Sequence, residues 1–249
     1  MKKHRTDCEI IGYGNIVVRW TADRARDKRL ARNRAAIEKI WREAVEESGG
    51  KLFNGLLLNF VGLEKRRTGI EVRGSFVEYK HFIVQRRHPE LELGIKPIGV
   101  SGIIIFSDSG VENAVFAERG GDTTEYRGFL ELVPSGGIDR ECADENGIVD
   151  YKSKLLSEFA EETGLSNDCI MDISEFAIVL DTKDKVYDIC CRISVDARKE
   201  IIIKKFRDSK EYKSPVFVPV SELKKFVRSN RKSLVPTSIA LVDAFIMGK

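Results

Sequence analysis

The sequence lacks the features that would place the protein in a membrane or in an oxidising compartment. No apolar run approaches the roughly 18–20 residues that a membrane span needs. The basic start at residues 1–5 is followed by acidic residues instead of the apolar core of a secretory signal. The 5 cysteines form no C-x-x-C pair, and their odd number is typical of reduced thiols. These absences predict a cytoplasmic protein that makes no contact with a membrane.

Histidine and excess charge are also scarce. The 3 histidines cannot combine with the cysteines at a spacing typical of zinc sites, so a bound metal would be a hard cation held by oxygen atoms. The 42 basic and 39 acidic residues leave a net charge of +3, which gives no overall field that would require nucleic acid. The basic stretch at residues 24–34 is interpreted as a solvated helix face. Nucleic-acid binding is the alternative, although no aromatic residues are interleaved for base stacking.

Apolar patterning predicts two regions that meet near residues 94–97. Residues 1–96 indicate a smaller α+β region, and residues 97–249 indicate a second domain that opens with a buried strand at 99–106. In the first region the pattern predicts strands at 8–20, 52–60, 70–78 and 81–85, and a helix at 23–48. In the second it predicts strands at 113–118, 129–133, 176–181, 186–194 and 215–220, and helices at 149–163, 222–229 (capped by Ser221) and 237–247.

The helix predicted at 149–163 carries three carboxylates at positions i, i+3 and i+4. Glu158, Glu161 and Glu162 therefore project close together on a 3.6-residue period. Like charges at this spacing repel each other by roughly 0.2–0.5 kcal/mol per exposed pair. A cation such as Mg²⁺ would offset that repulsion, because hard ions bind carboxylate oxygens. A solvated acidic face is the alternative interpretation of the same pattern.

The surroundings of this helix resemble the sequence box of the Nudix hydrolases. Residues 158–165, EFAEETGL, match the end of the family pattern in order, and the glycine pair Gly136-Gly137 precedes them within ELVPSGG. The resemblance covers about residues 97–249. It implies a Nudix-type α/β/α sandwich with a mixed sheet. It also implies Mg²⁺- or Mn²⁺-dependent hydrolysis of a diphosphate that links a nucleoside to a second group.

The resemblance also implies a role for each matching residue. Glu158, Glu161 and Glu162 would be catalytic and would bind the metal, and the backbone carbonyl of Gly137 would join them. Gly136 and Arg119 would bind the substrate. For Arg119 a surface salt bridge is an equal alternative.

Two departures from the family pattern bear on activity. Ser157 stands where the family has an arginine, which normally forms bidentate ion pairs with neighbouring carboxylates. Glu158 follows Gly137 by 21 positions, a longer loop than the pattern has, and Val149 stands where the first glutamate would fall, with Asp150 adjacent. The UDP-sugar pyrophosphatase subgroup shares such departures, whereas residues 134–139 also resemble ADP-ribose pyrophosphatases. A catalytically weak nucleotide-binding or regulatory module is the alternative function, and a homodimer is compatible with the resemblance.

Overall fold

A large mixed sheet and a small three-stranded sheet form the framework. The structure, a computed structural model, describes residues 7–120, 126–207, 209 and 211–248. The strands are β1 (Cys8–Tyr13), β2 (Ile16–Trp20), β3 (Leu56–Arg66), β4 (Gly69–Glu78), β5 (Ile98–Asp108), β6 (Val111–Arg119), β7 (Leu130–Leu132), β8 (Ser135–Gly137), β9 (Ile170–Asp181), β10 (Tyr187–Val195) and β11 (Tyr212–Pro219). The α-helices are α1 (Arg24–Arg32), α2 (Arg34–Glu47), α3 (Tyr79–Arg87), α4 (Tyr151–Thr163), α5 (Lys199–Phe206), α6 (Leu223–Asn230) and α7 (Pro236–Met247).

The large sheet has helices on both faces. Its strand order is β1-β9-β10-β5-β6-β11, with β7 paired to β6 and β8 paired to β5. β10 and β5 run parallel, and the other neighbours are antiparallel. Leu155 and Phe159 of α4 belong to the core on one face, whereas Leu241 and Phe245 of α7 belong to the core on the other. The predicted α/β/α sandwich with a mixed sheet is confirmed.

Residues from both predicted regions contribute to the large sheet and to one hydrophobic core. The single strand predicted at 8–20 is wrong, because Gly14 takes a φ of +115° and divides it into β1 and β2. β1 pairs with β9 of the large sheet, whereas β2 pairs with β4 of the small sheet. Val72 of the small sheet also lies in the same core cluster as Phe159 of α4. The division at residues 96 and 97 stays a prediction, but β1 completes the larger sheet.

Helix boundaries account for most of the remaining corrections. The helix predicted at 23–48 is interrupted at Asn33, which has a φ of −100° and a ψ of 8°, so α1 and α2 are separate. The strand predicted at 81–85 is wrong, because these residues lie in α3. Buried His81 and Val84 are three positions apart and share one helix face, a pattern that a short apolar run does not distinguish from a strand. Helix α6 begins without a side-chain cap, so the predicted capping by Ser221 is also wrong.

The basic stretch at 24–34 is partly structural. Arg26 is only 4% exposed and donates hydrogen bonds to Ser75 and Asp27. Arg29 donates to the carbonyl oxygen of Leu93. These two arginines hold α1 against the rest of residues 1–96, so fewer cations of this stretch remain for the alternative of nucleic-acid binding.

No helix within the described residues is long and apolar enough to cross a membrane.

Candidate functional site

The glycine pair and the carboxylate helix meet in close contact. β8 carries the pair along the edge of β5, with Gly136 opposite Val100 and Gly137 opposite Gly99. A Cβ atom on Gly136 would lie 2.5 Å from both Cγ and Oε1 of Glu158. Only glycine lets β8 and α4 approach this closely without displacing the carboxylate. A Cβ on Gly137 would meet nothing within 4 Å, so the second glycine faces open space.

Glu158 has a cationic partner one helical turn earlier. Its Oε1 lies 2.8 Å from Nζ of Lys154, which also lies 3.4 Å from Oδ2 of Asp139. Burial lowers the pKa of Lys154, but the two carboxylates outweigh it, and this pKa is raised above its ordinary value. The family pattern has an arginine at the position of Ser157. Lys154 supplies a positive charge near this position. The sequence signal for this pair was the i, i+4 spacing of Lys154 and Glu158.

Glu162 is buried and lies next to other carboxylates. Its side chain is on the buried side of α4, and its Oε2 accepts a hydrogen bond of 3.2 Å from the backbone N–H of Ser135. Burial raises the pKa of Glu162 to about 9, and the negative charges of Glu131, Glu211 and Glu158 add to that shift. Glu161, by contrast, is exposed. The structure therefore brings Glu158 and Glu162 against β8 and leaves Glu161 on the solvent side.

Arg119 is tied to a buried carboxylate that the sequence did not single out. Glu131 is 7% exposed, forms a salt bridge with Arg119 and accepts a hydrogen bond of 3.0 Å from the hydroxyl of Tyr212. The surface salt bridge considered for Arg119 is thus a partly buried one. This salt bridge and the hydrogen bond from Tyr212 together link β6, β7 and β11 near the carboxylates of α4. Glu131 is the first residue of the ELVPSGG segment, but the sequence analysis assigned it no role, because a glutamate in a short strand ordinarily faces solvent.

Tyr212→Phe is expected to lower the free energy of unfolding by about 1–2 kcal/mol. The change removes one hydroxyl from Glu131 and leaves a buried carboxylate oxygen with one donor fewer. Urea denaturation of the two proteins measures the difference. Tyr13→Phe is the control, because Tyr13 is 41% exposed. Equal losses for the two variants would contradict the role of Tyr212.

The residues around Gly136 suit a hard divalent cation in their chemistry. Carboxylate oxygens from Glu158 and Glu162 and a backbone carbonyl at Gly137 are the ligand types that Mg²⁺ and Mn²⁺ take. Burial is the main cause of the raised pKa of Glu162, and a cation would offset the repulsion from Glu131, Glu211 and Glu158 that adds to it. Within the described residues, however, no three His, Cys, Asp or Glu side chains are grouped so as to hold a metal ion. The metal ligands named in the sequence analysis remain predictions.

A cavity of about 550 Å³ adjoins the glycine pair. One wall comes from residues 1–96 and contains Phe53, Leu57, Tyr79 and Phe82. The opposite wall comes from the large sheet and the site, and it includes Gly136, Gly137, Asp139, Lys154, Ser101 and Asp188. The volume falls in the range of pockets that bind small molecules. The polar sequence at 120–128 is typical of a loop, and residues 121–125 within it lie outside the described residues.

Comparison with solved structures returns proteins with the Nudix fold, while no family model and no curated protein matches the chain. DR0079 from Deinococcus radiodurans is 10% identical, over 59% of this chain and 82% of that one, with a TM-score of 0.45. A Nudix hydrolase from Nitrosomonas europaea is 14% identical, over 62% and 90% of the chains, with a TM-score of 0.39. The Nudix domain of Shewanella oneidensis NrtR, complexed with ADP ribose, is 13% identical, over 60% and 86%, with a TM-score of 0.38. Likeness at this level carries no argument about activity.

Proposed function

We propose that this protein is a metal-dependent pyrophosphohydrolase of the Nudix type. Its substrate is a nucleoside diphosphate linked to a sugar or similar group, as in UDP-sugars or ADP-ribose. The products are a nucleoside monophosphate and a phosphorylated remainder. The single observation that supports this proposal is the contact between Gly136 and Glu158, where a Cβ atom would occupy the space of the carboxylate.

Glu158 and Glu162 are the residues proposed to hold Mg²⁺ or Mn²⁺, together with the Gly137 carbonyl. Such an ion, when bound, neutralises phosphate charge and lowers the pKa of a coordinated water. Glu161 is exposed on the solvent side of α4, and its proposed role is to accept a proton or to complete the ligand set. The pairing of Ser135 N–H with Glu162 fixes that carboxylate relative to β8.

Lys154 and Arg119 are the cations proposed to face the diphosphate. Lys154 lines the cavity next to Gly136 and Gly137, and Arg119 lines an adjoining cavity of about 250 Å³. Cationic groups fixed in a cleft stabilise the charge that develops on phosphate oxygens during the reaction. The buried pairing with Glu131 holds Arg119 in place.

A catalytically weak nucleotide-binding module is the second candidate, and the Lys154–Glu158 ion pair favours it. A lysine 2.8 Å from Oε1 already neutralises one proposed metal ligand. A metal ion at Glu158 would have to displace this lysine or share the carboxylate with it. The bound phosphates of a substrate offer Lys154 an alternative partner, which is how the enzyme proposal accommodates the same pair.

A substrate panel with metal separates the two candidates. The purified protein is incubated with UDP-glucose, ADP-ribose and GDP-glucose in the presence of Mg²⁺ or Mn²⁺, and nucleoside monophosphate is measured. We expect turnover of at least one substrate, with loss of turnover after chelation by EDTA. Nucleotide binding without any monophosphate would overturn the enzyme proposal and support the binding module.

A further inference from the structure

The strand β10 places a buried carboxylate in the cavity, outside the proposed metal site. Asp188 lies opposite Gly99 of β5, and its Oδ1 accepts a hydrogen bond of 3.1 Å from the hydroxyl of Ser101. A Cβ atom at Gly99 would lie 2.9 Å from that same oxygen. Gly99 thus leaves room for the carboxylate, and Ser101, two positions further along β5, orients it.

Holding this carboxylate in place costs stability. Burial raises the pKa of Asp188 to about 6, against the hydrogen bond from Ser101, and the nearby charges of Asp181 and Glu131 raise it further. Burying a charge without a paired cation is unfavourable. Among the described residues Ser101 is the side chain that donates to this carboxylate, so a ligand with N–H donors would add partners, and Asp188 lines both the cavity beside the glycine pair and the adjoining one.

The wall beside Asp188 is apolar and partly aromatic. Leu57 and Phe82 reach the cavity from the small sheet and α3, and Ile98 of β5 and Val186, the residue before β10, line the same cavity as the carboxylate. Phe53, at 83% exposure, stands at the same cavity. Nucleobases stack on aromatic side chains, which Phe53 and Phe82 supply at this cavity. The polar end, with Gly136, Gly137 and Lys154, suits phosphates.

We infer that the cavity binds the base of a guanine nucleotide, with Asp188 accepting hydrogen bonds from N1–H and N2–H₂. The inference rests on the proposed function for the placement of the phosphates. An ionised carboxylate has only acceptor oxygens, and guanine is the common base that presents two adjacent N–H donors on one edge. Uracil offers one N–H between two carbonyls, which would face the carboxylate with like partial charges. Adenine and cytosine offer an amino group next to an acceptor nitrogen.

The inference narrows the proposed substrate to guanosine diphosphate derivatives rather than the UDP or ADP forms. Residues 1–96, for which the sequence showed no catalytic candidates, gain a role as the apolar wall of the base site.

Calorimetric titration with the 5′-monophosphates of guanosine, adenosine, cytidine, uridine and xanthosine tests the assignment. For the unchanged protein we expect guanosine monophosphate to bind at least about 10-fold more tightly than the others, the discrimination that a good bidentate pair provides. Asp188→Asn replaces one acceptor with an N–H₂ donor, which matches the O2 acceptor that xanthine carries in place of the amino group. This variant should lose at least about 10-fold in guanosine monophosphate affinity and should prefer xanthosine monophosphate.

Asp172→Asn is the matched control, since Asp172 is exposed on β9 and the change in charge is the same. It should keep the preference for guanosine monophosphate. Equal affinities for all bases, or an Asp188→Asn variant that still prefers guanosine monophosphate, would overturn the inference. Selective binding of guanosine monophosphate without hydrolysis of any substrate would instead overturn the proposed function and leave the base site standing. Equal hydrolysis of substrates with all bases would overturn the base site and leave the proposed function standing.

Discussion

Glu162→Gln is expected to lower kcat by at least about 100-fold, the scale seen when a charge-stabilising group is removed from an active site. Glutamine preserves the shape of the side chain and the oxygen that accepts the Ser135 N–H. Glutamine cannot ionise, so it cannot provide the negative charge that the proposed metal ion needs from this side chain. Steady-state assays with Mg²⁺, on the best substrate of the panel, measure the effect.

The fold of this variant is expected to remain intact. Glu162 is 4% exposed, and a neutral amide at this depth has no charge to desolvate. The free energy of unfolding in metal-free buffer should therefore not fall. Glu145→Gln, an exposed change in the loop before α4, is the control for loss of one negative charge. An unchanged rate in Glu162→Gln would refute the metal assignment.

Gly136→Ala is expected to lower both activity and stability. The added Cβ would lie 2.5 Å from Glu158, so either β8 or the carboxylate must move. Overpacking of this kind costs about 1–3 kcal/mol of stability. A displacement of about 1 Å in a positioned group can cost on the order of 100-fold in rate.

Gly137→Ala is the matched control for this substitution. The two glycines are neighbours in β8, but a Cβ at Gly137 would meet nothing within 4 Å. Its free energy of unfolding should stay within about 0.5 kcal/mol of the original value. Chemical denaturation compares the stabilities of the two variants, and kcat is compared between Gly136→Ala and the original protein, because Gly137 belongs to the proposed metal site. Equal stabilities of the two alanine variants would show that the close contact does not constrain β8.

The sequence predicted the sheet core and the carboxylate helix well, because both depend on local periodicity. The buried strand at 99–106 lies within β5, and the helix at 149–163 corresponds to α4 with Gly164 in the left-handed conformation at its end. Helix α5 was not predicted from the sequence. Only Ile202 and Phe206 of its residues are buried, too few to stand out as a periodic pattern.

The long-range parts of the site could not be predicted from local pattern. Glu131 and Tyr212 are 81 positions apart and meet only because β6 pairs with both β7 and β11. Ser101 and Asp188 meet across the parallel pair of β5 and β10. The arrangement of Glu158, Glu161 and Glu162 around an ion stays a prediction from helix spacing and family resemblance. The predicted cytoplasmic location also stays a prediction, and a homodimer is still no more than compatible with the resemblance.

Strand β1 has a consequence for any shortened version of the protein. Its residues, from Cys8 opposite Asp181 to Tyr13 opposite Ala177, satisfy backbone groups along β9. A fragment that began at residue 97 would leave this row of N–H and C=O groups open on a long strand. Open strand edges pair with other chains and promote aggregation. Strand β1 is itself at the edge of the sheet, but its 6 residues offer a shorter open row than the 12 residues of β9, so a fragment without β1 is expected to self-associate more readily than the whole chain.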